Sequence, residues 1–130
     1  MTRIYFDNAA TTPIDPLVLE SMLPYLHSHF GNPSSIYSFG RETRLAIENA
    51  RKTVAGILKV RPGEIFFTSG GTESDNMAIR SAIEDLGCRH IITSPLEHHA
   101  VLHTLEHLHN TGETELKLLE TDSRGNLNLK

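Results

Sequence analysis

Apolar positions recur at helical spacing through the first half of the sequence. The segment LVLESMLPYLHSHF, which begins at Leu17, has the pattern of an amphipathic helix. Asp-Pro at 15–16 supplies an N-cap and a first-turn proline ahead of it, and Pro24 is expected to kink or shorten the helix. A second, long helix is predicted over about 41–58, with Arg-Pro-Gly at 61–63 as its stop signal.

The second half alternates between short apolar runs and amphipathic segments. Strands are predicted at 64–68, 90–94 and 115–120, with helices at 73–86 and 99–109 between them. Helices of this length require crossover connections, so we expect a parallel three-stranded sheet with right-handed crossovers and helices packed on it. Because ligands bind at the carboxyl ends of such strands, the turns after the first two strands should be neighbours in space.

Two segments outside these elements are predicted to be irregular. Residues 4–6 form a short extended start, and FGNPSSIYSFG at 30–40 is rich in turn-forming residues. We interpret the second segment as an ordered loop rather than a flexible linker. The sequence shows no internal repeat and no clear domain boundary.

Composition and charge narrow the classes of function. With 130 residues, 38% of them hydrophobic, the chain can bury one sizeable core. Its formal net charge of -4 argues against binding to nucleic acid or to anionic membranes. A single cysteine excludes an intramolecular disulfide and fits a reducing compartment. No apolar run approaches the ~20 residues of a membrane helix, so a cytoplasmic protein is predicted.

The turn after the first predicted strand is suited to binding an anion. Ser-Gly-Gly at 69–71 precedes a helix that should start near Thr72, where free N–H groups and the helix dipole favour a phosphate. Thr72 adds a hydroxyl donor, and glycine lets the backbone approach a bound group closely. The spacing differs from the nucleotide P-loop and from G-x-G-x-x-G, so a single cofactor phosphate fits best. A tight strand-to-helix turn capped by a hydroxyl is the structural alternative.

The histidines raise two further hypotheses. His99, His103 and His107 share one face of the predicted helix, as zinc ligands would. A solvated polar face is the simpler interpretation, because no HExxH motif and no second ligand cluster is present. His98 stands at or before the helix start, where an imidazole could stack on a planar cofactor and move protons near neutral pH. Its structural alternative is a capping or surface histidine.

Four motifs occur in order along the chain: YFDNAATTPIDP at 5–16, FGNPSS at 30–35, FTSGGTESDNMAI at 67–79 and LEHHAV at 96–101. Together they resemble the N-terminal part of the cysteine desulfurases, which are pyridoxal-phosphate enzymes of the class V aminotransferase family. The resemblance covers essentially the whole chain. It implies a type I pyridoxal-phosphate fold of class α/β.

The resemblance also implies roles for individual residues. Gly71 and Thr72 match the positions whose backbone and hydroxyl bind the phosphate of pyridoxal phosphate. His98 matches the histidine that stacks on the pyridine ring and assists proton transfer, so it is the expected catalytic residue. Asn32 lies in a motif near the active-site entrance and is assigned no contact.

The implied reaction converts L-cysteine to L-alanine and leaves the sulfur as a persulfide on a catalytic cysteine. The sulfur then passes to a sulfur-acceptor or iron–sulfur scaffold protein. The family is usually homodimeric. Residues 1–15 would belong with the small domain, and residues 16–130 would form the first part of an incomplete three-layer α/β/α large domain with a mainly parallel sheet.

The sequence lacks several residues on which the chemistry of the family depends. The cofactor lysine, the acidic partner of the pyridine nitrogen, the persulfide cysteine and the carboxylate-binding arginine all correspond to positions after Lys130. Cys88 reads as an ordinary core or turn residue and not as the sulfur carrier. We therefore expect a fragment that is inactive alone, and whose uncovered sheet edge and apolar face favour dimerisation or aggregation.

Three other interpretations stay open at this point. The first is a selenocysteine lyase or another class V aminotransferase, because the residues that separate these substrates lie mostly downstream. The second is a non-catalytic module that binds a ligand or a protein partner through the phosphate corner. The third is the metal-binding protein suggested by the histidine face.

Overall fold

The computed structural model describes residues 3–128, and the chain divides into two compact units, Met1–Phe66 and Phe67–Lys130. We call them the first and the second unit. The elements in chain order are α1 (Pro16–His27), α2 (Ser38–Leu58), a 3-10 turn (Pro62–Glu64), α3 (Gly71–Glu84), β1 (His90–Thr93), α4 (His99–Asn110) and β2 (Glu115–Leu118). Within residues 3–128, no helix has both the length and the apolar content that crossing a bilayer requires.

The first helix begins where the sequence predicts. The Asp15 carboxylate accepts a hydrogen bond of 2.8 Å from the Leu17 N–H, and Pro16 occupies the first turn, where a missing N–H costs nothing. Pro24 is accommodated inside the helix, and its carbonyl accepts the N–H groups of Ser28 and His29 as the helix ends. α1 therefore continues through Pro24 to His27 and ends before Phe30, the last residue of its apolar segment.

The long helix α2 ends at the predicted residue for a different reason. Lys59 adopts the left-handed conformation (φ 57°), and its N–H bonds to carbonyls of the last turn. This is a C-cap geometry that glycine usually supplies. The predicted stop signal, Arg-Pro-Gly at 61–63, instead contributes to the separate 3-10 turn.

The loop before α2 is ordered, as expected. The Thr43 hydroxyl donates to the Gly31 carbonyl at 2.7 Å. Gly40 is buried, and a Cβ at this position would lie 2.5 Å from the Asn32 carbonyl oxygen and 2.6 Å from that of Ser35. The loop backbone thus packs directly on the start of α2, which only glycine permits at this distance.

The second unit contains a small parallel sheet. β1 and β2 pair in parallel, with His90 opposite Glu115, and α4 forms the crossover between them. α3 packs against α4, and α4 against β2. The buried hydrophobic side chains of this unit are Ile83, Leu105 and Leu108. The α/β class and the parallel pairing are confirmed.

The predicted strand at 64–68 and the three-stranded sheet are wrong for the described residues. Glu64 ends the 3-10 turn, and the sheet consists of β1 and β2 alone. Ile65 has extended dihedral angles, but extended backbone becomes a strand only beside a neighbour that accepts its hydrogen bonds. Phe66, which a core strand would bury, is 70% exposed.

Candidate cofactor site

The glycine corner of the sequence is the N-terminus of α3. Gly71 is the first helical residue, two positions earlier than predicted, and Gly70 is the N-cap. The Ser74 N–H donates to the Gly70 carbonyl at 3.1 Å as the first bond of the helix. The preceding N–H groups of the first turn therefore have no i−4 carbonyl within the helix and are available to an anion.

A carboxylate braces this corner from inside the helix. Oε2 of Glu73 accepts hydrogen bonds from the Ser69 hydroxyl at 2.7 Å and from the Ser69 N–H at 2.6 Å. The hydroxyl and, secondly, the N–H hold the pKa of Glu73 below its ordinary value of 4.5. We did not predict this brace, although a glutamate three residues after an N-cap is a known signal.

A second set of hydrogen bonds closes the turn on its other side. The hydroxyls of Thr68 and Ser74 lie 2.7 Å apart, and the Thr68 hydroxyl also donates to the Gly70 carbonyl at 3.2 Å. The corner is thus fixed by side chains on both flanks, while its glycines carry none.

The space in front of the glycines is open. A Cβ built on Gly70 or Gly71 would meet no atom within 4 Å, and Thr72 is exposed. Packing of the protein therefore does not explain why glycine occupies these positions. A braced helix N-terminus with open glycines and an adjacent hydroxyl fits a bound phosphate group.

His98 is the N-cap of α4. Its Nδ1 accepts a hydrogen bond from the Ala100 N–H at 3.1 Å, and the side chain is otherwise exposed. Because Nδ1 is the acceptor, a neutral ring carries its proton on Nε2. The capping geometry is established by this bond, whereas the role of His98 toward a cofactor stays a prediction.

One asparagine connects the starts of the two helices. Nδ2 of Asn76 lies 2.8 Å from the carbonyl oxygen of Thr72 and 3.3 Å from that of Ala100. The Thr104 hydroxyl donates to Oδ1 of Asn76 at 2.6 Å. The structure therefore brings the glycine corner and His98 into one region, as expected, but side chains that we did not predict join them. The only sequence signal was a polar residue on each packed helix face.

Two further candidates in the second unit are the histidine face of α4 and Cys88. The rings of His99 and His103 are 4.8 Å apart, and the part of the chain described here has no group of three or more potential metal ligands. Cys88 is exposed in the connection between α3 and β1, so of the two predicted alternatives, a core or a turn residue, the structure shows the second.

Asn32 has a local role in the first unit. Its Oδ1 accepts the Ser34 N–H at 2.9 Å, and its carbonyl accepts the Ser35 N–H at 2.9 Å. This is the side-chain-capped turn that asparagine favours before proline and serine. The contacts describe a turn-forming residue and assign it no ligand.

Curated relatives share about half of their aligned residues with this chain. The cysteine desulfurase IscS of Methanosarcina thermophila is 52% identical over 125 residues, a match that covers 94% of this chain and 30% of that protein. The cysteine desulfurase of a Nostoc species is 46% identical over 130 residues, covering 99% of this chain and 32% of that protein. The chain thus spans about a third of the length of the curated relatives it matches.

Solved structures share the fold as well. A NifS-like protein matches with a TM-score of 0.88 and 45% identity over 98% of this chain and 35% of that one. The apo cysteine desulfurase from Thermococcus onnurineus NA1 matches with a TM-score of 0.80 and 31% identity, covering 97% of this chain and 32% of that one. The sequence model of the family described as Aminotransferase class-V matches residues 4–130. The chain therefore belongs to the class V aminotransferase family.

Proposed function

We propose that the polypeptide is a pyridoxal-phosphate-dependent cysteine desulfurase and that this chain supplies part of its cofactor site. The observation that carries the proposal is the braced, open helix N-terminus at Gly71, which is joined through Asn76 to the helix that His98 caps. The relatives named above, at 46–52% identity, are cysteine desulfurases. The proposed reaction releases L-alanine from L-cysteine and transfers the sulfur.

The glycine corner would bind the cofactor through its phosphate. The N–H groups of the first turn of α3 and the exposed Thr72 hydroxyl are the donors, and the dipole of a 14-residue helix favours the negative charge. Glu73 and Ser69 keep the turn in place without occupying the open space in front of Gly71. When bound, pyridoxal phosphate supplies an electron sink for cleavage at the substrate amino acid.

His98 would act on the ring side of the cofactor. While Nδ1 accepts the Ala100 N–H, a neutral ring carries its proton on Nε2 and can present it to the cofactor as a hydrogen-bond donor. To act as a base, the ring must first release the cap bond, because its free electron pair is on Nδ1. The same bond restricts the rotation of the imidazole, which favours stacking on a planar ring. We assign it both functions: stacking on the cofactor and, when the cap bond is released, proton transfer.

The substrate and partners follow from the same proposal. One of the structural relatives is described as SspA in complex with cysteine, which supports L-cysteine as the substrate class. We further propose a homodimer that passes sulfur to an acceptor or iron–sulfur scaffold protein in the cytoplasm. The single cysteine of this chain supports a reducing compartment.

The test separates the capping role of His98 from its chemical role. Asparagine is a strong N-cap, so His98→Asn retains an acceptor for the Ala100 N–H and removes the imidazole, whereas His98→Ala removes both. The native polypeptide is purified with pyridoxal phosphate, and alanine and sulfide are measured from L-cysteine. We expect both variants to lose at least about a hundredfold in turnover and only His98→Ala to lose stability.

Three results would contradict the proposal. If the wild-type polypeptide binds no pyridoxal phosphate, the cofactor assignment fails. If it consumes L-selenocysteine and leaves L-cysteine intact, the sister activity replaces the desulfurase. If His98→Asn turns over at the wild-type rate, His98 is a helix cap and nothing more.

A further inference from the structure

The amide of Asn76 is fully engaged between two helix starts. Nδ2 has two hydrogens, and two carbonyl oxygens lie within reach: Thr72 at 2.8 Å on its own helix and Ala100 at 3.3 Å on α4. One of these carbonyls belongs to Thr72, whose hydroxyl is a proposed donor to the phosphate. The other belongs to the residue whose N–H bonds to His98.

Thr104 fixes which way this amide faces. Its hydroxyl oxygen lies 2.6 Å from Oδ1 of Asn76 and 2.9 Å from the Ala100 carbonyl oxygen. A hydroxyl that donates to Oδ1 leaves Nδ2 as the end that faces the two carbonyls. Both side chains are half-buried between α3 and α4, where solvent competes weakly with these bonds.

We propose that Asn76, oriented by Thr104, is a positioning residue that sets the spacing between the phosphate corner and His98. The inference rests on the proposed function, because the spacing matters only if one cofactor spans both groups. The phosphate donors sit on α3 and the histidine on α4, and a rigid ligand requires the two helix starts to keep one separation. The Asn76 side chain bonds to both helix starts.

Apolar packing alone leaves this separation less well defined. Ile83, Leu105 and Leu108 are the buried apolar side chains of the second unit, and they lie at least seven residues after Asn76 on α3 or on the later turns of α4. Non-directional contacts at those positions permit small sliding movements of the helix starts, whereas hydrogen bonds specify distance and angle. The directional bonds are located where the cofactor would be held.

The variants change hydrogen bonding while nearly preserving shape. Asn76→Asp keeps the acceptor for Thr104 but replaces the Nδ2 donor with an oxygen that repels both carbonyls. Thr104→Val removes the orienting hydroxyl, and Thr104→Ser restores it. Thr114→Val is the matched control, because the Thr114 hydroxyl is buried in the same unit and has no hydrogen-bond partner among residues 3–128.

The first readout is the dissociation constant of pyridoxal phosphate for the native polypeptide stripped of cofactor. We expect about a tenfold increase for Asn76→Asp and about fivefold for Thr104→Val, since each loses one or two partly buried hydrogen bonds. Thr104→Ser and Thr114→Val should stay within about twofold of the wild type. Equal affinity in all variants, or an equal loss for Thr104→Val and Thr114→Val, would overturn the proposal.

The second readout needs no cofactor and separates failure of this inference from failure of the proposed function. Amide hydrogen exchange is measured in the stripped polypeptide at residues 74–77 and 100–103, which include the first hydrogen-bonded amides of α3 and α4. Asn76→Asp should accelerate exchange at both helix starts, and Thr114→Val at neither. Acceleration at only one start, or at neither, overturns the positioning role whether or not the wild type binds pyridoxal phosphate. If Asn76→Asp fails to fold, Thr104→Val takes its place in this comparison and should likewise accelerate exchange at both helix starts.

Discussion

The two units use their apolar residues in opposite ways. In the second unit, leucine and isoleucine side chains from α3 and α4 are buried, and Leu108 is only 1% exposed. In the first unit, Ala55 is the buried hydrophobic residue among those described, and α1 has no buried residue at all. α1 is nevertheless strongly apolar, with large side chains such as Leu17 and Leu26 facing solvent.

The second unit carries the candidate cofactor site, whereas the first unit exposes an apolar surface. The glycine corner, His98 and the Asn76 bridge all lie on elements that contribute to the core of the second unit. The first unit is ordered mainly by local capping and by backbone contacts around Gly40. Its exposed apolar side chains are the basis for our expectation of association, which stays a prediction.

The largest expected contrast between the units is in core substitutions. Leu108→Ala should lower the free energy of unfolding of the 130-residue chain by roughly 2–5 kcal/mol, because it leaves a cavity under α4. Leu26→Ala should change it by no more than about 0.5 kcal/mol, since Leu26 is 69% exposed. Urea unfolding measures both.

Equal losses would break this comparison. If Leu26→Ala were as costly as Leu108→Ala, the apolar face of α1 would be buried in solution, and self-association of the chain would account for it. Sedimentation of the wild type at several concentrations then shows whether a second copy covers that face.

The next contrast compares two glycines with similar surroundings. A Cβ at Gly71 or at Gly56 would meet no atom within 4 Å, and both glycines lie in helices. Alanine at either position should therefore leave the fold intact or stabilise it by up to about 1 kcal/mol. Only Gly71→Ala should weaken pyridoxal phosphate binding, by about tenfold or more, because its methyl group occupies the space proposed for the phosphate.

Thermal unfolding and cofactor titration of the native polypeptide test the pair. If Gly56→Ala and Gly71→Ala had similar effects on cofactor affinity, the phosphate would not bind at the glycine corner. A large loss of stability for Gly71→Ala would indicate a structural need for glycine that the open surroundings do not show.

The smallest effect concerns the pH dependence of the corner. Because the folded pKa of Glu73 is lowered by the two bonds from Ser69, the brace stabilises the corner at pH values above about 4.5 and is lost as the pH falls through the lowered pKa. Amide exchange at Ser69 and Ser74, expressed relative to the intrinsic rate at each pH, should accelerate over that range in the wild type. Glu73→Gln should abolish this acid-dependent step, and Glu106→Gln, at an exposed glutamate on α4, should retain it.

A wild-type corner whose exchange shows no such step below pH 4.5 would mean that Ser69 and Glu73 do not brace the turn in solution. The second unit would then hold its site by the Asn76 bridge and its apolar core alone.

Several elements could be predicted from the sequence because their causes are local. Asp15 caps α1 by accepting the N–H of Leu17, two residues later in the chain. The periodic apolar positions place α2, α3 and α4 within a few residues of their observed bounds. The motif around Gly71 also located the helix start that we propose as the phosphate site. Capping bonds and apolar periodicity depend on residues close together in the chain, so they can be recognised in a single sequence.

Tertiary structure decided the rest, because it depends on residues far apart in the chain. The segment at 64–68 has the composition of a strand, yet only a neighbouring strand could make it one, and β1 pairs with β2 instead. Asn76 and Thr104 are ordinary polar residues until the packing of α3 on α4 brings them within 2.6 Å. The sequence alone indicated the residues that we propose to bind a phosphate and to move a proton. The packing of α3 on α4 determined that the two helix starts lie together, because directional bonds across 28 residues exist only in the folded chain.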